Sequence, residues 1–365
     1  AINLDKNYKF TYSNIAIIKR KLGKINEAID YYNKALSLDK NFPLANLGKS
    51  VCLFQNKKFK KAWELYDSRI ETDYFLDSNL PLKIINNKML DNIKISQDSK
   101  ILIMREQGLG DEILYSSMYN EFYEKFKNIK IECDLRLIPL FTSSFPSINN
   151  DVFIKKGDIS SDEKQLEKFD YVVYNGTLGK FFRNSIEEFN KKNHLSISKS
   201  NFNNYVSEFP QGSKLNIGIS WRSFFNRTAK EKSLNLEDLM SIIVNNKCNF
   251  INLQYGEVDN EINNYNTDNY NQIIKINNLD LYNNIYDTAC LLKKLDLYIG
   301  VSNSTAHLAC SLGVPSIIIC PKFFYYYFIP WYQKINVITY NQSISDCFNE
   351  LKIKFEEFCA RSSAG

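Results

Sequence analysis

The sequence predicts an α/β protein of two similar halves behind a short all-α segment. Three observations carry this reading. Residues 1–71 repeat themselves at a fixed interval of 34 positions. From about residue 100, short apolar runs alternate with helix-like segments. From about residue 215, the alternation occurs a second time.

The repeat comes first. Ala-Ile-Asn-Leu-Asp-Lys-Asn-Tyr at 1–8 matches Ala-Leu-Ser-Leu-Asp-Lys-Asn-Phe at 35–42, an offset of 34. The same offset pairs Ile25 with Phe59, Ala28 with Ala62 and Tyr32 with Tyr66. That period belongs to the tetratricopeptide repeat, a pair of antiparallel helices. Ala16 and Ser50 are small where paired helices must approach. Ala28, Tyr32, Ala35 and Leu36 form one apolar stripe at helical spacing, and Gly23 sits at the turn. Residues 1–8 read as the tail of an earlier repeat, so further repeats are expected upstream. Such arrays present a groove to peptides, which implies a protein partner. Bracing the next domain would equally explain two repeats.

Residues 72–98 read as a connector. Lys100–Met104, Ile131–Leu135 and Tyr171–Tyr174 are strand candidates, with a helix from about Glu112 to Phe126. In the second half the strands are Leu215–Trp221, Phe250–Gln254, Leu297–Val301 and Ser316–Ile319. Helices fit at 235–245, 284–294 and 304–312. This alternation predicts parallel sheets covered by helices. Pro210-Gln-Gly212 is a plausible hinge, so the halves are expected at 99–210 and 211–360. Each would bind a ligand at its strand ends.

Composition narrows the function classes. The net charge of +5 is too small for a nucleic-acid partner, and no basic run supports one. The eight cysteines are scattered without a CxxC pair, which fits a reducing, cytoplasmic setting. With only His194 and His307, a multi-histidine metal site is impossible. No apolar run is long enough for a membrane span.

Several constellations can carry chemistry. Glu106-Gln-Gly-Leu-Gly-Asp-Glu112 lies between a strand and a helix; Gly108 and Gly110 allow a tight turn and close approach of a ligand. Asp111 opens the helix there, either as part of a ligand site or as its cap. Ser302-Asn-Ser-Thr-Ala-His-Leu-Ala309 follows a strand and starts a helix. Ser304, Thr305 and the backbone amides to Ala306 suit a diphosphate, with His307 either facing that ligand or packed beneath. Arg222 lies just past a strand end, followed by Arg227, Lys230 and Lys232; a guanidinium there can grip phosphate oxygens, or the loop is simply solvated. The run Phe323–Phe328, then Pro330-Trp-Tyr332, can wall a pocket or cover the core. No Asp-x-Asp occurs, so the cations at hand for a diphosphate are Arg, Lys and a helix dipole, and no metal is expected.

Taken in order, these pieces resemble a tetratricopeptide-repeat protein fused to a heptosyltransferase-like glycosyltransferase. The resemblance runs through Ala62-Trp-Glu-Leu-Tyr-Asp-Ser-Arg69, the segment Glu106–Glu112, Ile217–Arg222, Phe250–Gly256 with Gln254, Asp296–Ala309 with Ser302 and Asn303, Gly313-Val-Pro315 and Pro330-Trp-Tyr332. It implies a GT-B fold of two Rossmann-like lobes, the first for the acceptor and the second for a nucleotide-sugar donor. It also implies that Asp111 is the catalytic base and that the Ser-Thr-Ala-His segment holds the donor phosphates. Two loops depart from the pattern: Arg-Ser-Phe-Phe-Asn follows Trp221, and Tyr325-Tyr-Tyr-Phe precedes Pro330.

The function expected from this is an inverting, metal-independent sugar transfer to a hydroxyl, with the repeats holding a protein acceptor such as flagellin. A glycan acceptor is the other possibility. A non-catalytic repeat scaffold and a sugar-nucleotide epimerase are the rival readings.

Overall fold

The computed structural model describes residues 7–72, 80–189, 193–198, 209–210, 212–224, 229–341 and 343–362. The predicted Arg227 and Gln211, the middle of the expected hinge, lie outside them. The chain divides into two compact units. One comprises residues 1–135 and 147–190; the other comprises 136–146 and 191–365.

The first unit begins with four helices: α1 (Lys9–Lys21), α2 (Ile25–Leu38), α3 (Pro43–Gln55) and α4 (Phe59–Tyr66). The expected small residues Ala16 and Ser50 are fully buried, and Ala16, Ala28, Ala35 and Ala45 pack around Tyr32. Both hairpins turn in the same way. After α1, Gly23 N–H bonds Arg20 O and Lys24 N–H bonds Lys19 O; after α3, Lys57 and Lys58 do the same to Phe54 and Leu53. This helix stop needs a left-handed residue. Gly23 supplies it at φ 75°, and one period later Lys57 adopts it at φ 57°.

A 3₁₀ turn, Asp67–Glu71, leads on from α4. Part of the expected connector is built into the fold: helix Leu82–Asn87 buries Ile85, and Leu90 N–H bonds Val172 O at 2.8 Å. The sheet that follows is parallel, in the order β3 (Phe153–Lys155), β2 (Ile129–Cys133), β1 (Ile101–Met104), β4 (Tyr171–Tyr174). The chain steps outward from β1 to β3, then returns to place β4 on the other side of β1. The predicted helix 112–126 starts earlier and is broken: Leu109–Tyr115, a 3₁₀ turn, then Tyr119–Lys125.

The second unit holds a six-stranded parallel sheet. Its members are β5 (Leu215–Ser220), β6 (Cys248–Asn252), β7 (Ile273–Ile274), β8 (Leu297–Val301), β9 (Ser316–Pro321) and β10 (Ile335–Tyr340). The order is β10-β9-β8-β5-β6-β7. Again the chain steps out from the centre, β5 to β7, and returns to lay β8 against β5. The core between this sheet and its helices is aliphatic and aromatic, including Ile217, Ile219, Trp221, Leu239, Phe250 and Leu351, all fully buried. All eight cysteines are buried thiols. Among the described residues, no helix is long and apolar enough to cross a membrane.

Each sheet therefore has a point where its winding reverses, between β1 and β4 in one unit and between β5 and β8 in the other. Loops leaving the carboxyl ends of such neighbours diverge and leave room for a ligand. The segments after these four strands are therefore the candidate ligand-binding loops.

Candidate functional site

In the first unit, the loop after β1 is the predicted glycine loop. Its tight turn falls on Gln107, which takes φ 57°, while Gly108 is extended and acts as the helix N-cap. The turn was expected on the glycines; the structure places it on the residue before them. Gly110 lies in the first turn of the helix. Asp111 accepts a hydrogen bond from Gly108 N–H through Oδ2 at 3.1 Å. Its carboxylate thus closes half of a capping box, and it is partly exposed.

Two buried carboxylates flank this loop. Glu106 takes both prongs of Arg69, Nε to Oε2 at 2.6 Å and Nη2 to Oε1 at 2.7 Å, and also accepts from Gly176 N–H in the loop after β4. A Cβ on residue 176 would meet Glu106 Oε1 at 2.4 Å, so glycine is needed there. Thr177 Oγ accepts from Arg69 at 2.9 Å and donates to Asp67 at 2.7 Å. Glu112 is fully buried, ion-paired with Arg105, and accepts from Asp134 N–H at 2.8 Å. Burial outweighs the arginine and pushes its carboxyl up to about 7.

In the second unit, the loop after β8 is the predicted Ser302 segment. Asn303 caps the helix Ser304–Ser311 by accepting from Ala306 N–H at 2.9 Å. The Ala306 amide, expected among the phosphate donors, is therefore engaged within the chain. Asn303 also donates to Ser220 Oγ (2.9 Å) and to Arg222 O (3.1 Å), tying the loops after β5 and β8 together. Gln254 Oε1 accepts from Trp221 N–H and Arg222 N–H at 2.9 and 2.7 Å. Ser302, Asn303, Thr305 and Gln254 are buried, whereas Ser304 is partly exposed at the helix start.

The expected donor-binding side chains Arg222, Lys232 and His307 differ in state. Arg222 is ion-paired with Glu261, whose carboxylate also accepts from Trp221 Nε1 at 3.2 Å. Lys232 Nζ lies 3.8 Å from the centre of the Phe324 ring. His307 is buried, stacks on Phe328 at 4.5 Å and meets Tyr332 OH through Nδ1 at 3.0 Å. Burial, then the Lys232 charge, lowers its pKa to about 3. It is neutral at ordinary pH and offers a hydrogen bond, not a charge.

Sequence reasoning gave no role to Arg69, Glu106, Glu112, Glu261 or Tyr332. Arg69, Glu106, Glu112 and Tyr332 stood inside the motifs named above, but the signal that matters is pairing: the Arg69–Glu106 and Arg222–Glu261 pairs span 37 and 39 residues. His194, also unassigned, stacks beside Tyr332 at 6.4 Å. Among the described residues, no group of three or more His, Cys, Asp or Glu is placed to hold a metal ion.

Comparison with known proteins bears on the repeat and the fold. Residues 10–42 match the tetratricopeptide repeat model. Protein FlbA of Caulobacter vibrioides is 23% identical over 363 residues; the match covers 94% of this chain and 60% of FlbA. This chain thus spans less than two thirds of that relative's length. Among solved structures, the ADP-heptose LPS heptosyltransferase II of E. coli aligns with a TM-score of 0.53 at 12% identity, over 72% of this chain and 99% of the other. A family 9 glycosyl transferase of Veillonella parvula aligns at 0.50 and 13%, over 73% and 98%. The chain carries a tetratricopeptide repeat ahead of an α/β part with the GT-B fold of these glycosyltransferase structures.

Proposed function

We propose that this protein is an inverting glycosyltransferase that moves a sugar from a nucleotide-sugar donor to a hydroxyl acceptor without a metal ion. The observation that carries the proposal is the coincidence of chemistry with topology. A partly exposed carboxylate, Asp111, stands in the loop at one winding reversal, and Ser304, Arg222 and a helix N-terminus stand at the other. The fold shared with the heptosyltransferase and family 9 structures supports the same reading.

In this mechanism the acceptor hydroxyl gives its proton to Asp111 as its oxygen bonds to the anomeric carbon. The bond from that carbon to the diphosphate oxygen breaks, and the nucleoside diphosphate leaves with the electron pair. Attack opposite the leaving group inverts the anomeric centre. Growing charge on the diphosphate is met by the start of the Ser304 helix, by Lys232 and by Arg222, with neutral His307 as a hydrogen-bonding neighbour. Arg222 must exchange Glu261 for the phosphate. The repeats supply the acceptor, a protein with Ser or Thr hydroxyls.

A thermal-shift screen against UDP-, GDP-, ADP- and CMP-sugars, with and without EDTA, tests the donor half. Bound donor raises the melting temperature by mass action. One nucleotide class should stabilise the protein, unaffected by EDTA and lost in Arg222→Ala. No shift with any donor would favour the scaffold reading. Sugar-nucleotide turnover without acceptor would favour the epimerase.

A further inference from the structure

The end of the repeat segment is joined to the glycine loop by polar contacts, buried except at Gln107. Arg69 meets Glu106, the residue preceding the left-handed Gln107. Gln107 Nε2 donates to Tyr66 OH at 3.3 Å, and that hydroxyl lies 2.8 Å from the hydroxyl of Tyr115, the last residue of the helix that bears Asp111. Arg69 also stacks on the Tyr66 ring, 4.4 Å from its centre, and the Arg69 and Glu106 side chains are 3% and 0% exposed. Water cannot substitute for the Arg69–Glu106 pair, whereas Gln107 itself is exposed. Beside them, Trp63 Nε1 donates to Arg183 O at 2.7 Å, and the indole lies where a Cβ on residue 179 would be, 2.3 Å away. Three side chains of one short stretch, 63–69, therefore hold both ends of the strained turn and the loop after β4.

We propose that Arg69 and Tyr66 are positioning residues for the glycine loop: the last repeat helix, through Glu106, Gln107 and Tyr115, sets where the Asp111 carboxylate stands. A left-handed non-glycine residue is uncommon, and at Gln107 the side chains that hold it and its neighbour come from the repeat. The repeat segment is thus part of the catalytic apparatus as well as a place for a partner. The inference rests on Asp111 acting as the base.

The test uses the full chain carrying Arg69→Lys, which keeps the charge but loses the two-pronged geometry, and Tyr66→Phe, which removes only the hydroxyl. Hydrogen–deuterium exchange should quicken at 106–113 and leave the Ser304–Ser311 helix unchanged. In sugar transfer, kcat should fall by about ten- to a hundredfold, the cost of a misplaced group, at constant donor KM, with Tyr66→Phe the milder. Unchanged exchange in the loop overturns the proposal. So does a lowered melting temperature with kcat intact, which marks a purely structural pair. Should the unaltered chain transfer no sugar from any donor, the glycosyltransferase reading falls, and the exchange data alone decide whether Arg69 and Tyr66 hold the loop.

Discussion

The loops after β1 and after β8 are built on the same plan, strand, loop and helix at a winding reversal, yet they are held in opposite ways. The first is surrounded by charge. Glu106 and Glu112 are buried beside Arg69 and Arg105, and the turn is a left-handed glutamine. The second is held by neutral groups: the Asn303 amide, the Ser220 and Tyr298 hydroxyls, and an uncharged His307. A buried charge pair locks geometry, because breaking it leaves a charge stranded at a cost of about 3–5 kcal/mol. A neutral network leaves the local field to the helix N-terminus and Lys232, which suits an incoming anion. In the proposed mechanism one loop holds the Asp111 carboxylate and the other receives negative charge.

The sharpest break in this comparison is at Asp111. Asp111→Asn should lower kcat by about a hundred- to ten-thousandfold, the range for general-base loss, and leave donor affinity in a binding titration unchanged. A parallel loss of donor affinity would mean that the two loops do not divide the labour as described.

Acid and base separate the loops next. Glu112 has a folded pKa of about 7, raised above its unfolded value by burial. Its contribution is full at low pH and is lost as pH rises through about 7. His307 has a folded pKa of about 3, below its unfolded value near 6.5. Its contribution is full above about 6.5 and is lost as pH falls toward about 3. Between about pH 4.5 and 6.5 the two slopes oppose, each near 1.4 kcal/mol per pH unit. Glu112→Gln should unmask a loss of stability on acidification, and His307→Gln a gain. Denaturant titrations from pH 5 to 8 would show this; identical pH profiles in both variants would remove the contrast.

Arg222 gives a smaller effect. Because it is held by Glu261, Glu261→Gln should tighten donor binding several-fold, and Arg222→Ala should weaken it by about tenfold or more, as for a charged hydrogen bond. Equal affinities in calorimetry would place Arg222 outside the donor site. The smallest change is expected for Gln107→Gly: relief of left-handed strain offsets the lost bond to Tyr66, so stability should stay within about 1 kcal/mol of the parent in thermal melts. A larger loss would show that the side chain, not the backbone, holds the turn.

By itself the sequence determined the repeat and the strand–helix alternation, because both rest on local pattern. A 34-residue period set Ala28 and Ala62 in equivalent contacts, and the runs at Ile101–Met104, Tyr171–Tyr174 and Leu297–Val301 are too apolar to be anything but buried strands. It also indicated both loops at the winding reversals. The strands it missed carry weak local signals: β7 has two residues, β3 three, and β10 lies at a sheet edge; the helices Asp259–Asp268 and Phe348–Ser362 were also missed. The break between Tyr115 and Tyr119 is equally silent, since both helical pieces bury the same kinds of side chain. Which charges meet depends on the folded chain. Arg69 reaches Glu106, Arg222 reaches Glu261, and His307 loses its charge to burial. Such pairings join residues distant in the chain, and their strength comes from the exclusion of water, which no local periodicity records.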